Sequence, residues 1–401
     1  MNEWRKVKLG DCIKEVIEKT TKNNQYEVLS VTKDGIVSQE KFFKKQIASE
    51  NNIGYKIIRK NNLVFSTMNL WMGSLDVLTN YEIGIVSPAY KIFEFNEKLM
   101  LPEYGDYYMK SYYMLEQYKN CSEQGASVVR RNLDLKALLN IEITIPPIEE
   151  QEKIIGILNH IDNILNLIYG LIKNINIEKK CIIDKILNNN KYIEKTFNEL
   201  ISEDVIYDIM DGNHGELHPK TSDYVEKGIP FIMANNIYDG ELHLTNCAFL
   251  KKDQADSLRK GFAKAGDILL THKGTIGNVG YVPDTIETDY IMLTPQVTYY
   301  RVNKNNNILY KNYLYYFLQS SEFQNRLKLL STQSTRAYIG ITEQKKLKIK
   351  IPDKNIQNKL CSILLCIDQK NKLLKDKKDN YLKMKKALMQ QLLTGKIKVK
   401  I

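Results

Sequence analysis

The sequence predicts an α+β chain in which two duplicated α/β globular parts are separated by two long helices forming an antiparallel coiled coil. Two observations predict it. The first is an internal repeat: Ile145-Pro146-Pro147 followed by Gln151, Lys153, Ile157, Leu158, Ile161 and Asp162 returns as Ile351-Pro352-Asp353 followed by Gln357, Lys359, Ile363, Leu364, Ile367 and Asp368, each pair 206 residues apart. A match this long at one offset is an internal duplication. The second is a heptad: Ile154, Ile161, Ile168, Ile175 and Ile182 fall seven apart, with Leu158, Leu165, Ile172 and Ile186 four after them and Lys179 as the one break. An a/d pattern sustained over about five heptads predicts a coiled coil rather than a surface helix.

Taken in order, residues 1–146 form a first globular part, 147–190 a first long helix, 191–352 a second globular part, and 353–401 a second long helix with a tail. Upstream of the helices the copies diverge, but landmarks survive: Leu63-Val64-Phe65-Ser66 answers Ile268-Leu269-Leu270-Thr271, and Ser87-Pro88 answers Thr294-Pro295. Ile141, Ile143 and Ile145 alternate with other residues, as do Leu347, Ile349 and Ile351, so a strand precedes each helix. Pro146-Pro147 and Glu149-Glu150 suit a helix start, where proline's missing N–H costs nothing and carboxylates oppose the positive end of the dipole. The second helix keeps Leu360, Ile367, Leu374 and Leu388 on one row and Leu364 and Leu392 on the other, interrupted by Asn371, Lys378 and Lys385. If duplicated halves pair about a two-fold axis, the helices run antiparallel. Tyrosine-rich stretches from Tyr104 to Tyr118 and from Tyr310 to Phe323 have core spacing and are expected against the sheets.

A net charge of +11 over 401 residues favours a polyanionic partner such as nucleic acid. Six scattered cysteines without a Cys-x-x-Cys pair, and no apolar leader, predict a reduced cytoplasmic protein without structural zinc. A membrane span is not expected, for want of an uninterrupted apolar run of about 18 residues.

Catalytic signatures are absent. Gly274, Gly277 and Gly280 are not followed by Gly-Lys-Ser/Thr and serve turns rather than phosphates. No Asn/Asp-Pro-Pro-Tyr/Phe stretch is present, and Pro283-Asp284 with Glu287 lacks the lysine of a metal-dependent nuclease centre. His214 and His218 have no cysteine nearby and are not expected to hold a metal.

With the duplication, the Pro-Pro-Ile-Glu-Glu-Gln start at Pro146 and the tail Leu392-Leu393-Thr394-Gly395-Lys396, the chain resembles the DNA-specificity (S) subunits of type I restriction-modification systems over its full length. Asp211-Gly212-Asn213-His214-Gly215 and Gly266-Asp267-Ile268-Leu269-Leu270 add to the likeness. The second helix departs from it, with Asp353-Lys354-Asn355 where the first has Ile148-Glu149-Glu150. The resemblance implies two target recognition domains, each reading half of a split double-stranded DNA sequence. It also implies two modification subunits docked on the helices and using S-adenosylmethionine to methylate adenine, with restriction subunits driven by ATP and Mg joining to cleave. The chain itself would bind no cofactor and catalyse nothing.

Phosphate contacts supply affinity and base-edge contacts supply sequence choice. In the second copy the expected DNA-binding residues are His214, His272, Lys273 and Thr275, with Ser334, Thr335, Arg336 and Tyr338 in a polar loop before the last strand. In the first copy they are Ser127, Arg130 and Arg131 in the matching loop, and Asn69 and Trp71 at the place of the glycine turn. Ile154, Leu158, Ile161, Leu165, Ile168, Ile172, Ile175, Leu360, Leu364, Ile367 and Leu374 are expected to pack helix on helix. The rival readings are a stand-alone DNA-binding regulator, a fused methyltransferase or nuclease, and a coiled-coil adaptor.

Overall fold

A computed structural model describes residues 3–32, 35–42, 51–124, 131–215, 218–332 and 338–399. The chain divides into two compact units, Met1–Tyr169 with Asp376–Ile401, and Gly170–Lys375. The division runs through both long helices, Ile148–Asn189 and Lys354–Leu392, so each unit holds a globular part and a piece of each helix.

In the first unit, strand β1 (Arg5–Lys8) pairs antiparallel with a strand immediately before the long helix, Arg5 facing Ile145. The central sheet contains β2 (Ile13–Glu15), β3 (Leu63–Ser66), β4 (Leu75–Val77) and β5 (Tyr90–Phe95) in the order β2-β5-β3-β4, all antiparallel. The partner of β1 is β6 (Glu142–Ile145), where Ile143 and Ile145 point inward, as the alternation requires. Tyr104, Tyr107, Tyr108 and Tyr118 from the tyrosine-rich helices lie in the core with Phe65, Phe93, Ile154, Leu158, Leu392 and Leu393.

The second unit repeats this plan. Strand β7 (Tyr192–Thr196) is the counterpart of β1, and the sheet of β8 (Ile206–Asp211), β9 (Ile268–Lys273), β10 (Thr275–Tyr281) and β11 (Val297–Val302) has the order β8-β11-β9-β10. Strand β12 (Lys348–Pro352) pairs with β7, Tyr192 facing Pro352. The duplication read in the helices thus extends to strand order in the divergent parts. An additional five-stranded mixed sheet, in which Ile229–Ile232 runs parallel to Ile291–Leu293, occurs in the second unit.

The repeated glutamine explains itself. Gln151, wholly buried, donates from Nε2 to the carbonyls of Leu99 (2.7 Å) and Pro146 (3.0 Å) and accepts from the Leu101 amide (2.9 Å). Gln357 does the same with Ile308 (2.8 Å), Pro352 (2.8 Å) and the Tyr310 amide (3.0 Å). Each one ties the start of a long helix to the loop before a tyrosine-rich helix, satisfying backbone groups that burial would otherwise leave orphaned. Where the second helix lacks the paired prolines, the Asp353 carboxylate caps it by accepting from the amides of Asn355 (2.9 Å) and Ile356 (3.0 Å).

Within each unit the helix pieces run antiparallel. In the second unit Lys179 meets Asp368 and Asn176 meets Asn371; in the first, Asp162 meets Lys385 while Ile154 and Leu158 share a core with Leu392 and Leu393. Of the residues expected to pack there, Ile154, Leu158, Ile161, Leu165, Ile168, Ile175, Leu360 and Leu364 are buried, and Ile172, Ile367 and Leu374 are half-buried.

The lysine that breaks the heptad row is a paired core position. Lys179 Nζ binds Asp368 Oδ1 at 2.7 Å, Tyr316 donates to Asp368 Oδ2 at 3.0 Å, and the ammonium lies 5.0 Å from the centre of the Tyr316 ring. The first unit contains the same triad: Lys385 on Asp162 at 2.5 Å, Tyr107 donating to Asp162 at 2.6 Å, and Lys385 5.2 Å from the Tyr107 ring. Burial pushes the Lys179 pKa down against the pull of Asp368, and burial with Asp162 pushes that of Tyr107 up.

By length and composition the Ile148–Asn189 helix would also qualify as a membrane span. Towards its two ends its apolar residues instead enter the cores, Ile154 and Leu158 with Leu392 and Leu393 in the first unit and Ile183 and Leu187 with Leu360 and Leu364 in the second.

Candidate nucleic-acid interface

The two hairpins that correspond in the duplicated sheets, β3 to β4 and β9 to β10, end in tips of opposite chemistry. In the second unit the tip is Lys273-Gly274-Thr275, all exposed. Gly274 has φ +79°, a conformation that favours glycine and lets the strand reverse in so few residues. Tyr338, 37% exposed, forms an isolated antiparallel bridge with Lys273, whose ammonium lies 6.0 Å from the Tyr338 ring centre.

His272 is a correction to the sequence reading. It is wholly buried, so its side chain cannot reach a base or a phosphate. Every residue of β9 from Ile268 to His272 is buried, because the strand is central and covered on both faces. The imidazole donates from Nδ1 to the Ile339 carbonyl (2.9 Å), while the Ile339 amide returns a bond to the His272 carbonyl (3.0 Å). Gln344 Nε2 donates to the same Ile339 oxygen (2.9 Å). His272 therefore fixes the segment that carries Tyr338 beside the tip.

Burial, with smaller contributions from His214 and Lys273 and against the pull of Asp211 and of the Ile339 bond, holds the His272 pKa down to about 4. The folded value lies below the ordinary one of about 6.5, so this histidine's contribution is intact above about pH 6.5 and is lost as pH falls towards 4. The linkage amounts to on the order of 2 to 3 kcal/mol. Asparagine at 272 can donate to Ile339 without titrating. The gap in urea stability between wild type and His272→Asn is therefore expected to shift towards the variant on going from about pH 7.5 to about pH 4.5. An unchanged gap would contradict the role given to His272.

At the end of β8, the Asp211 carboxylate, only 2% exposed, is held by Lys260 and by His214 Nε2 at 2.7 Å. His214 itself is about half exposed. Gly212 is required here, since a Cβ would lie 1.9 Å from the Leu293 carbonyl oxygen. Asn213 continues the frame, donating to the Lys260 carbonyl (2.6 Å) and accepting from the Arg259 amide (3.1 Å). The sequence reading did not foresee that Lys260 and Asp211 frame His214, although Asp211 stands in the quoted Asp-Gly-Asn-His-Gly stretch.

In the first unit the tip spans residues 67–74. The Asn69 carbonyl accepts from the amides of Met72 (3.0 Å) and Ser74 (3.3 Å), closing the turn, and Leu70 plugs into the core. Trp71 is half-buried with the Arg131 guanidinium 5.7 Å from its ring centre. Arg131 also donates to the carbonyls of Ser122 (2.6 Å) and Lys119 (3.3 Å), and its amide bonds the Met68 carbonyl (3.3 Å). Both units thus bring tip and polar loop together through backbone contact and a cation–aromatic pair. The roles are exchanged: aromatic on the tip in the first unit, cation on the tip in the second. Ser127, Arg130, Ser334, Thr335 and Arg336 lie outside the described residues. Among the described residues, no three His, Cys, Asp or Glu side chains converge as a metal site.

A family model for the type I restriction modification DNA specificity domain matches residues 1–177 and again 205–384. The chain belongs to this family. As a type I specificity subunit it carries two copies of the DNA specificity domain. It is 27% identical to the type I restriction enzyme MjaVIII specificity subunit of Methanocaldococcus jannaschii, over 99% of this chain and 94% of that one. It is 23% identical to the putative MjaX specificity subunit of the same organism, over the same shares. Among solved structures, a chain of a type I R-M system studied for complex assembly and conformational transition has TM-score 0.59 at 14% identity, covering 98% of both chains. The S subunit of M. genitalium has TM-score 0.51 at 15% identity, over 98% of this chain and 96% of that one. At such identities the structures bear on the specificity subunit's fold alone.

Proposed function

We propose that this specificity subunit reads a split double-stranded DNA target, one half per unit, and presents it to two modification subunits that methylate adenine. The observation that carries this reading is the pair of hairpins at equivalent places in the two sheets, whose tips are opposite in chemistry. A duplicated scaffold with two different reading surfaces suits a target of two unlike halves. Methylation requires the base to leave the stack, and that chemistry belongs to the partners. They would bind S-adenosylmethionine, and restriction subunits bringing ATP and Mg would cleave; this chain would hold none of these cofactors. The assembly would work in the cytoplasm.

The docking surface is supported by exposed apolar residues at duplicated positions. Ile157 and Ile363 are each 37% exposed, and Leu167 and Leu373 each 69%. Apolar exposure recurring at equivalent places in both units fits one copy of the same partner on each. Tagged chain purified from its source cell is expected to bring down a methyltransferase polypeptide in two copies. Leu167→Glu and Leu373→Glu are each expected to reduce that to one. A chain that comes down with DNA but without a methyltransferase would favour a stand-alone regulator instead.

A further inference from the structure

We propose that the first unit reads its half-site through thymine methyl groups, contacted by the thioether side chains of Met68 and Met72 on either side of Trp71. This deepens the reading given above and rests on it. The tip of the first unit exposes Met68 by 37% and Met72 by 45%, while Leu70 between them is 1% exposed. The turn therefore separates one apolar residue that serves the core from two that do not. An exposed thioether gains nothing from phosphate oxygens. In the major groove, the apolar feature available at a base edge is the C5 methyl of thymine. The tip is also held: the Arg131 guanidinium lies 5.7 Å from the Trp71 ring centre and is itself bonded to the carbonyls of Lys119 and Ser122. The corresponding tip of the second unit presents Lys273 and Thr275, hydrogen-bonding groups suited to a different base edge.

The test uses the subunit assembled with its modification partners and duplexes bearing the methylated motif found by genome mapping. Thymines are replaced by deoxyuridine, which removes only the methyl, first in the half that Trp71→Ala relaxes and then in the other. Loss of about 3- to 10-fold in affinity per methyl is expected in the first case, from the burial of one methyl group, and no loss in the second. Met68→Ala with Met72→Ala should bind thymine and uracil duplexes alike, whereas Met68→Leu with Met72→Leu, still apolar, should keep the preference and show that the tip is folded. Equal binding of the two duplexes by wild type, or an alanine variant that retains the preference, would overturn the inference. An assembly that does not distinguish the split motif from scrambled DNA would overturn the reading beneath it as well.

Discussion

Replacing Asp368 with alanine is expected to destabilise the second unit by about 3 kcal/mol, because it leaves the largely buried Lys179 ammonium without its carboxylate partner. The Lys179 side chain is 11% exposed and Asp368 30%, which places the loss at the lower end for a broken buried pair. Tyr316 loses an acceptor by the same change. Lys179→Met should cost much less, within about 1 kcal/mol, since the aspartate keeps its tyrosine and its access to water, and methionine fills the space. The asymmetry separates a pair that specifies helix register from one that merely adds stability. Native-state hydrogen exchange of the amides around Lys179 would measure it locally, without assuming that the whole chain unfolds in one step. Equal losses from the two variants would contradict this account. Asp162→Ala is expected to act in the same direction but with a smaller loss in the first unit, where Lys385, 25% exposed, and Tyr107 share that carboxylate.

The other large effect concerns sequence choice. Lys273→Ala is expected to weaken discrimination by about 10- to 100-fold at the half-site read by the second unit, as for loss of one good base-edge contact. Trp71→Ala should do so at the other half, through collapse of the platform that Arg131 braces. A loss uniform across sequences, with a shallower salt dependence, would instead mark Lys273 as a phosphate contact.

Much of this was legible in the sequence, for a physical reason. Seven-residue periodicity, the alternation of Ile143 and Ile145, and the constant offset between Gln151 and Gln357 are local patterns, and they specified helices, strands and the duplication. The tyrosine-rich stretches had core spacing and contribute Tyr104, Tyr107, Tyr313 and Tyr316 to the cores. Lys179 was visible as an interruption, and Asp162 and Asp368 as repeated residues. Their meaning was hidden, because each aspartate's lysine partner comes from the opposite copy, 189 and 223 residues away. His272 was misread for a related reason. Flanked by Thr271 and Lys273 it looks like a surface residue, and only the pairing of β9 between β10 and β11 shows that it is covered. The reciprocal cation–aromatic pairs were likewise invisible, since Trp71 with Arg131 and Lys273 with Tyr338 meet only through the fold.

Single-molecule mapping of adenine methylation across the source genome tests the central claim most directly. It would compare a strain lacking this chain with strains carrying wild type, Lys273→Ala or Trp71→Ala. The account predicts one split motif, lost without the chain, restored by wild type, and relaxed in one half by Lys273→Ala and in the other half by Trp71→Ala. An unchanged methylome on deletion, or two variants that relax the same half, would contradict it.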